Sequence, residues 1–433
     1  MKKTLIFAAA VLAFISCQKE NAYEQQKGDP LVFTAGIDDT KISLQMDETT
    51  GVLRWSSGDR VKITDAAGTT ATYKASAAGR TVPLVPQDDS QPVLGAGPYT
   101  ATYDGFKYNQ TYSTSKLNNM SMSASSETTE LTFQVTCGLL KLSVSGEGSL
   151  ESIMLKGDAT SLYTLPLNEG VDISSGAEFF IAINAGDVIR KIYFSNTDDL
   201  TCLKTAKTGK EISVAVNTIQ PVNFTGLTAA DFDCVYMGNI AASGYPLLWA
   251  TKNLGAANET DSGDFFAWGE TVGRRRNADN TGWVTTAGKA KNFSTAVTIP
   301  EDLKVAEDAA TVILGSPWRM PTNDELGRLP KMTGEWKDNY NSSGVNGWLI
   351  TYVKEGNWYN GHHIFFPAPG FGNGAGHSNP GSYGYYWSSE AKSTSAIYDF
   401  RVYYDSTKDP ATKCESTTTT NLKLGFNIRP VKE

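Results

Sequence analysis

From residue 31 to about residue 225, apolar side chains recur at every second position in short runs and never at a sustained helical period. Val61 and Ile63 make one such run, and Leu131, Phe133 and Val135 another; Leu140, Leu142 and Val144, then Ile212, Val214 and Val216, repeat the pattern. Turn pairs such as Ser57-Gly58 and Ala67-Gly68, and the triplet Gly146-Glu147-Gly148, separate the runs. Period-two alternation is the mark of strands with one face buried, and frequent turn punctuation excludes long helices. The expectation is two all-β sandwich domains with Greek-key connections, residues 31–136 and 137–225.

Tryptophan sets the next boundary. Of nine, only Trp55 precedes residue 225, while Trp249, Trp268, Trp283, Trp318, Trp336, Trp348, Trp358 and Trp387 follow it, as do all three histidines. Residues 226–433 are therefore expected to be a different, α+β fold. Val305, Ala309, Val312 and Ile313 form a helical stripe in the segment 301–314, stopped by Gly315. Thr322-Asn323-Asp324-Glu325 reads as a capping box opening a second helix, with Leu326 and Leu329 inward.

The first seventeen residues read as an export signal. Lys2 and Lys3 precede a short apolar run, Leu5 to Ile15, too short for a membrane helix. The run ends at Ser16-Cys17, which resembles a bacterial lipobox, in which the thiol accepts a diacylglyceryl group before cleavage. Residues 1–16 are then the signal, Cys17 the lipidation site, and 17–30 a polar tether. Several acyl chains hold a protein stably on a bilayer where one would not. The outer membrane is the expected location and its lipid a partner. With 46 acidic against 38 basic side chains, the net charge is −8, which disfavours nucleic acid as a partner. Beyond Cys17, four cysteines permit up to two disulfides in an exported protein; Cys234 with Cys414 would close a long loop. Cys137 fits a small buried hydrophobe equally well.

Two resemblances follow. Phe33-Thr34-Ala35, Thr40-Lys41 and Trp55-Ser56-Ser57-Gly58-Asp59 resemble the opening of the fimbrillin-like lipoproteins of Bacteroidetes. That likeness implies paired β-domains that polymerise as pili or decorate the surface, each subunit's last strand completing its neighbour's sheet. Leu248 to Ala256, Phe266-Ala267-Trp268-Gly269-Glu270, Trp318-Arg319-Met320-Pro321-Thr322, Phe366-Pro367-Ala368, Tyr386-Trp387-Ser388-Ser389 and Arg429-Pro430-Val431 follow in order. This series is similar to the Fibrobacter succinogenes major paralogous domain, itself similar to the C-type-lectin-like fold. The likeness implies two helices, small twisted sheets and long irregular loops.

Chemistry is sparse. Neither His-Glu-x-x-His nor Gly-x-Ser-x-Gly occurs, so no enzymatic activity is expected. Trp387-Ser388-Ser389-Glu390 stands where calcium-dependent lectins carry Trp-Asn-Asp, but serines are poor calcium ligands. The acidic loop Asn258 to Asp264 matches no EF-hand spacing, so no cofactor is expected and calcium is the weak alternative. His362 and His363 precede a Phe-Phe strand, so alternation turns one inward, and a zinc site there would need distant carboxylates. Arg274-Arg275-Arg276 reads as a solvated turn and the Gly370–Gly376 run as a flexible loop. Trp283, Trp336, Trp348, Trp358 and Tyr359 lie in polar or Gly-rich stretches and are the candidate sugar-stacking platform; Trp249, Trp268, Trp318 and Trp387 are expected in the core.

The sequence thus reads as a lipid-anchored adhesin or a tip or accessory pilin, a β-stalk with a lectin-like head for a host or microbial glycan or surface protein. Its partners would include other fimbrillin-type pilus subunits. The alternative is a non-polymerising outer-membrane glycan-binding lipoprotein with the β-domains as spacers. Replacing Cys17 by Ser should abolish incorporation of labelled fatty acid and release the chain from the membrane fraction; labelling that survives the change would refute the anchor.

Overall fold

The computed structural model describes residues 30–37, 55–105, 107–112, 120–157, 162–205, 211–216, 218–293, 302–407, 412–419 and 423–433. The signal segment, Cys17, Lys41 and Arg54 lie outside these residues. The chain divides into two compact units, one of residues 1–106, 113–138 and 215–219, the other of residues 107–112, 139–214 and 220–433. Among the described residues no helix is long and apolar enough to cross a membrane.

The first unit is a closed barrel of β1 (Phe33–Ile37), β2 (Arg60–Thr64), β3 (Thr70–Ala75), β4 (Thr81–Pro86), β5 (Tyr99–Asp104), β6 (Ser121–Ser126) and β7 (Glu130–Val135). The strand order is β1-β4-β3-β2-β5-β6-β7. Alternation correctly marks the inward residues, since Val61, Ile63, Leu131 and Phe133 are all buried. The expected sandwich is corrected to a barrel because β1 pairs antiparallel with β4 on one side and parallel with β7 on the other, Thr34 opposite Glu130 and Ile37 opposite Phe133. That parallel pairing removes the free edges a sandwich would leave.

Trp55 explains the Trp-x-x-Gly-Asp motif. Its backbone exchanges two hydrogen bonds with Gly79, at 2.8 and 3.1 Å. Its buried indole meets Tyr103 and Phe133 edge-on at 5.4 and 5.0 Å between centroids. Gly58 then takes φ 91°, open to glycine without strain. The Asp59 carboxylate accepts the Ser56 amide at 2.7 Å, closing the turn into β2.

The second unit begins with β8 (Gly138–Gly146), β9 (Ser149–Lys156), β10 (Leu162–Asp172), β11 (Ala177–Ile183), β12 (Val188–Ile189), β13 (Lys191–Asn196), β14 (Thr201–Thr205), β15 (Ile212–Ser213) and β16 (Ile219–Leu227). It continues through β17 (Cys234–Ile240) and β18 (Pro246–Ala250). A seven-stranded sheet runs β10-β9-β13-β14-β17-β18 and ends on the short strand Val431–Lys432, and a separate three-stranded sheet has the order β11-β8-β16. Thr201 of β14 pairs with Cys234 of β17, so hydrogen bonding continues across the boundary expected at residue 225.

Residues 226–433 also contain short sheets and two six-residue helices. The first, α1 (Ala309–Leu314), is shorter than its stripe suggested and turned the other way. Ala309 and Ala310 are buried, whereas Val305, Val312, Ile313 and Leu314 face solvent. Asp308 dictates this: one carboxylate oxygen caps Thr311 at 2.9 Å and the other accepts the Met320 amide at 2.8 Å. The second helix, α2 (Asn323–Arg328), opens on the capping box as expected, with Thr322 and Glu325 each bonding the other's backbone amide, and buries Leu326 and Leu329.

Trp249, Trp268 and Trp387 are in the core as expected, and Trp318 is half-buried under the Lys432 ammonium, 4.4 Å from its ring. Trp268 donates to the Ser388 carbonyl (2.9 Å) and Trp387 to the Phe266 carbonyl (2.8 Å), which locks two distant motifs together. Arg429 is fully buried with no carboxylate against it among the described residues. Instead it donates to Asn253 Oδ1 (2.9 Å), to the carbonyls of Ala250 (3.2 Å), Thr251 (2.8 Å) and Phe365 (2.8 Å), and lies over the Phe366 ring. Burial pulls its pKa down to about 10, yet leaves it a cation at neutral pH. Replacing Arg429 by Met orphans these acceptors and should cost at least about 3 kcal/mol of unfolding free energy in urea denaturation; a loss under about 1 kcal/mol would show that the network is dispensable.

Candidate functional site

The five aromatic candidates fall in three separate places, so they do not form one platform. Trp283 is buried beside Phe265 and Phe293, donates to the Gly376 carbonyl at 3.1 Å, and cannot meet a ligand. This corrects its assignment: the strand Trp283–Thr285 pairs with Arg274–Arg276 and turns the indole inward. The same pairing corrects the arginines. Arg274 is buried, ion-paired with Glu270 and 4.2 Å above the Phe293 ring, while Arg276 covers the Trp283 ring. The glycine run is likewise not a loose loop. Phe371–Asn373 and Gly376–Ser378 form a hairpin, and Gly372 with its partner Gly425 gives the Phe293 ring space that any side chain would fill.

Trp336 and Trp348 stand opposite each other on the strands Thr333–Lys337 and Gly347–Thr351. Trp348 packs down on the core, over Gly334. Trp336 is half-buried, donates to Asp338 at 2.9 Å, and lies 6.2 Å from the exposed ring of Tyr404. The Trp336–Tyr404 pair is the open aromatic ledge of this face. Tyr404 escaped sequence reasoning because its neighbour comes from a strand far away in the chain.

Trp358 and Tyr359 join a third group with Tyr236, Tyr352 and His362. As alternation required, His362 points inward, 1 % exposed, and His363 outward. The His362 Nδ1 is 2.9 Å from the Tyr236 carbonyl, while Nε2 is 2.9 Å from Glu151 Oε1 and 3.6 Å from Asp199 Oδ1. Among the described residues, this trio is the one set of three metal-capable side chains whose ligand atoms all lie within 4.8 Å. Glu151 and Asp199 carried no local signal, since their convergence depends on β9 and the β13–β14 turn reaching His362.

The calcium candidates are otherwise occupied. Asp261 accepts the amides of Ala257 and Asn258, and Asp264 pairs with Arg275. Glu390 accepts the Asn323 amide at the start of α2, and Ser389 bonds the Pro321 carbonyl. A polar groove of about 430 Å³ lies beside α2, lined by Asp324, Lys331, Lys392, Tyr398 and Ser416 among others. Cys234 and Cys414 form no disulfide, which corrects that pairing. Cys234 faces the cluster of Tyr236 and Leu248, whereas Cys414 packs against the cluster on the other face of β17, with Val235 and Met237. Burial pushes the Cys202 and Cys414 thiols up to about 12, so neither is reactive at neutral pH.

Compared with known proteins, the chain matches no family model and no curated protein. Among solved structures it is similar to a "putative cell adhesion protein" from Bacteroides ovatus, at 13 % identity and a TM-score of 0.31 over 46 % of this chain and 92 % of that one. A "putative cell adhesion protein" from Bacteroides uniformis gives 12 % identity and 0.28, over 48 % of this chain and 96 % of the other. A fimbrial protein from Bacteroides ovatus gives 9 % identity and 0.26, over 93 % and 98 %. Likeness at this level carries no functional assignment.

His377 supplies a pH handle on the Trp283 region. Wedged edge-on against Phe265 and Trp283, it has its pKa lowered by burial. The neutral ring is favoured in the fold, so its stabilisation is present above about pH 6.5 and is lost as pH falls from there toward the lower folded value. Denaturation curves of wild type and His377→Gln should therefore converge as pH drops from 7 to 5; parallel curves would contradict this placement.

Proposed function

We propose that this chain is a lipid-anchored, non-enzymatic surface adhesin that acts as a tip or accessory pilin, with residues 226–433 as its ligand-binding region. The observation that carries the reading is the state of residues 424–432. Leu424–Gly425 pairs with Phe371–Asn373, and Val431–Lys432 pairs with β18. Val431 also exchanges two 2.9 Å hydrogen bonds with Arg319. Lys432 reaches Asp233 at 2.7 Å, and Arg429 is buried. A segment bonded on this many sides is committed to its own fold and is a poor donor strand for a neighbouring subunit.

Strand acceptance is a different matter. Acceptance would require cleavage after a basic residue downstream of β1, which sits between β4 and β7; Lys41 and Arg54 are the basic residues there, neither a strong cleavage point, since Arg54 immediately precedes the core Trp55. Removing β1 would leave a slot with unpaired backbone on both walls, the geometry that strand addition uses. A subunit that accepts a strand while its 424–432 segment stays paired in its own fold would end a fibre. For ligand contact, the Trp336–Tyr404 ledge offers apolar ring faces beside a polar rim, which suits a sugar ring.

Pull-down with a pilus shaft subunit, before and after cleavage by a trypsin-like protease, tests the assembly half. Co-assembly only after cleavage is expected; none in either state would favour the spacer lipoprotein. A glycan array probed with the full chain tests the rest. Trp336→Ala combined with Tyr404→Ala should weaken any glycan signal at least tenfold, and an unchanged signal would remove the ledge from the reading.

A further inference from the structure

We propose that Glu151, Asp199 and His362 form a binding site for a divalent transition-metal ion of the zinc class. The three side chains arrive from separate elements: Glu151 from β9, Asp199 from the β13–β14 turn, and His362 from the residue before the strand His363–Pro367. This inference does not depend on the adhesin reading.

The imidazole is prepared as a ligand. With Nδ1–H donating to the Tyr236 carbonyl, the tautomer places the Nε2 lone pair toward the two carboxylates. Ligating histidines are commonly oriented by a second bond of this kind to a backbone carbonyl. The ring is 1 % exposed and held edge-on by Trp358 at 5.2 Å, so it cannot turn away to water. A buried lone pair facing two carboxylates is repulsive unless a cation lies between them.

A proton on Nε2 would serve Glu151, at 2.9 Å. Asp199 Oδ1 lies farther from Nε2, at 3.6 Å, and its other oxygen lies 3.6 Å from His363 Nδ1. A metal ion serves all three at once. Bonds of about 2.0–2.1 Å in a tetrahedron separate neighbouring ligand atoms by about 3.3 Å. The observed 2.9 and 3.6 Å from Nε2 lie on either side of that edge length, and the two carboxylate atoms lie within 4.8 Å of each other. One imidazole with two carboxylates suits zinc-class ions better than calcium, which takes oxygen ligands almost exclusively.

The backbone supports the arrangement. Glu151 is the residue that both neighbouring ladders skip, since Ser152 and Leu150 pair with Ser195 and Asn196 on one side and with Pro166 and Val171 on the other. Irregularities of this kind re-aim a side chain. The carboxylates keep an approach from solvent, with Glu151 21 % and Asp199 32 % exposed. Bound there, the ion would crosslink β9, the β13–β14 turn and the strand His363–Pro367.

The test uses the full chain carrying Cys17→Ser, to exclude that thiol, stripped with chelator and titrated with Co²⁺. The expected result is a saturating one-to-one visible absorption band, displaced by Zn²⁺ and unaffected by millimolar Ca²⁺. Glu151→Gln and Asp199→Asn should each weaken binding at least tenfold, and His362→Gln should abolish it. Because His362 is buried, Asp199→Asn is the decisive variant: Asp199 holds φ 64°, a conformation Asn adopts readily, so this change leaves the fold intact. Absence of a Co²⁺ band, or a band of unchanged affinity in Asp199→Asn, would overturn the proposal.

Discussion

A buried guanidinium organises the second unit. Among the described residues Arg429 has no carboxylate at ion-pair distance, and its charge is held by four oxygen acceptors and one aromatic face that converge on it. Those acceptors belong to Ala250, Thr251, Asn253 and Phe365, which come from β18, the turn after it and the strand His363–Pro367. Each acceptor is thereby held in place, and Trp249 and Phe366 complete the packing around it. The spaced motifs of residues 248–256, 365–368 and 429–431 are in physical terms one polar network. Their order along the chain reflects how the segments wrap around a single charge.

The same economy runs through the other motif residues. Trp268 and Trp387 each donate to the backbone of the other's segment, and Phe426 stacks on Trp387 at 4.0 Å. Arg319 binds both Glu325, the capping residue of α2, and Glu433 beside Val431. Most of the aromatic and charged side chains that stand out in residues 226–433 are therefore spent on architecture. Among the surfaces this network leaves open are the Trp336–Tyr404 ledge, the polar groove beside α2 and the carboxylates around His362.

Legibility in the sequence followed the range of the interactions. The Trp55 turn, the α2 capping box and the inward turn of one of His362 and His363 were readable because each depends on residues within a few positions. Readings failed where a distant partner decided. The stripe of Val305, Val312 and Ile313 looked like a buried helix face, yet Asp308 and the Met320 amide rotated that helix so that alanines face inward. Arg274 looked solvated, yet Glu270 and the Phe293 ring bury it. Trp283 looked like a loop residue free to stack on a sugar, yet its strand partner turned it to the core.

By itself the sequence determined the strand-rich character, the inward face of the runs at 61–63, 131–135 and 140–144 and the change of composition near residue 225, because alternation and composition are local consequences of what must leave water; the run at 212–216 is the exception, a two-residue strand with Val216 exposed. Tertiary structure alone decided that β1 closes a barrel onto β7, that one sheet continues from β14 into β17, and that Glu151 and Asp199 meet His362. Strand neighbours are chosen by long-range pairing of backbone groups that every residue carries alike, so that choice leaves little trace in side-chain pattern.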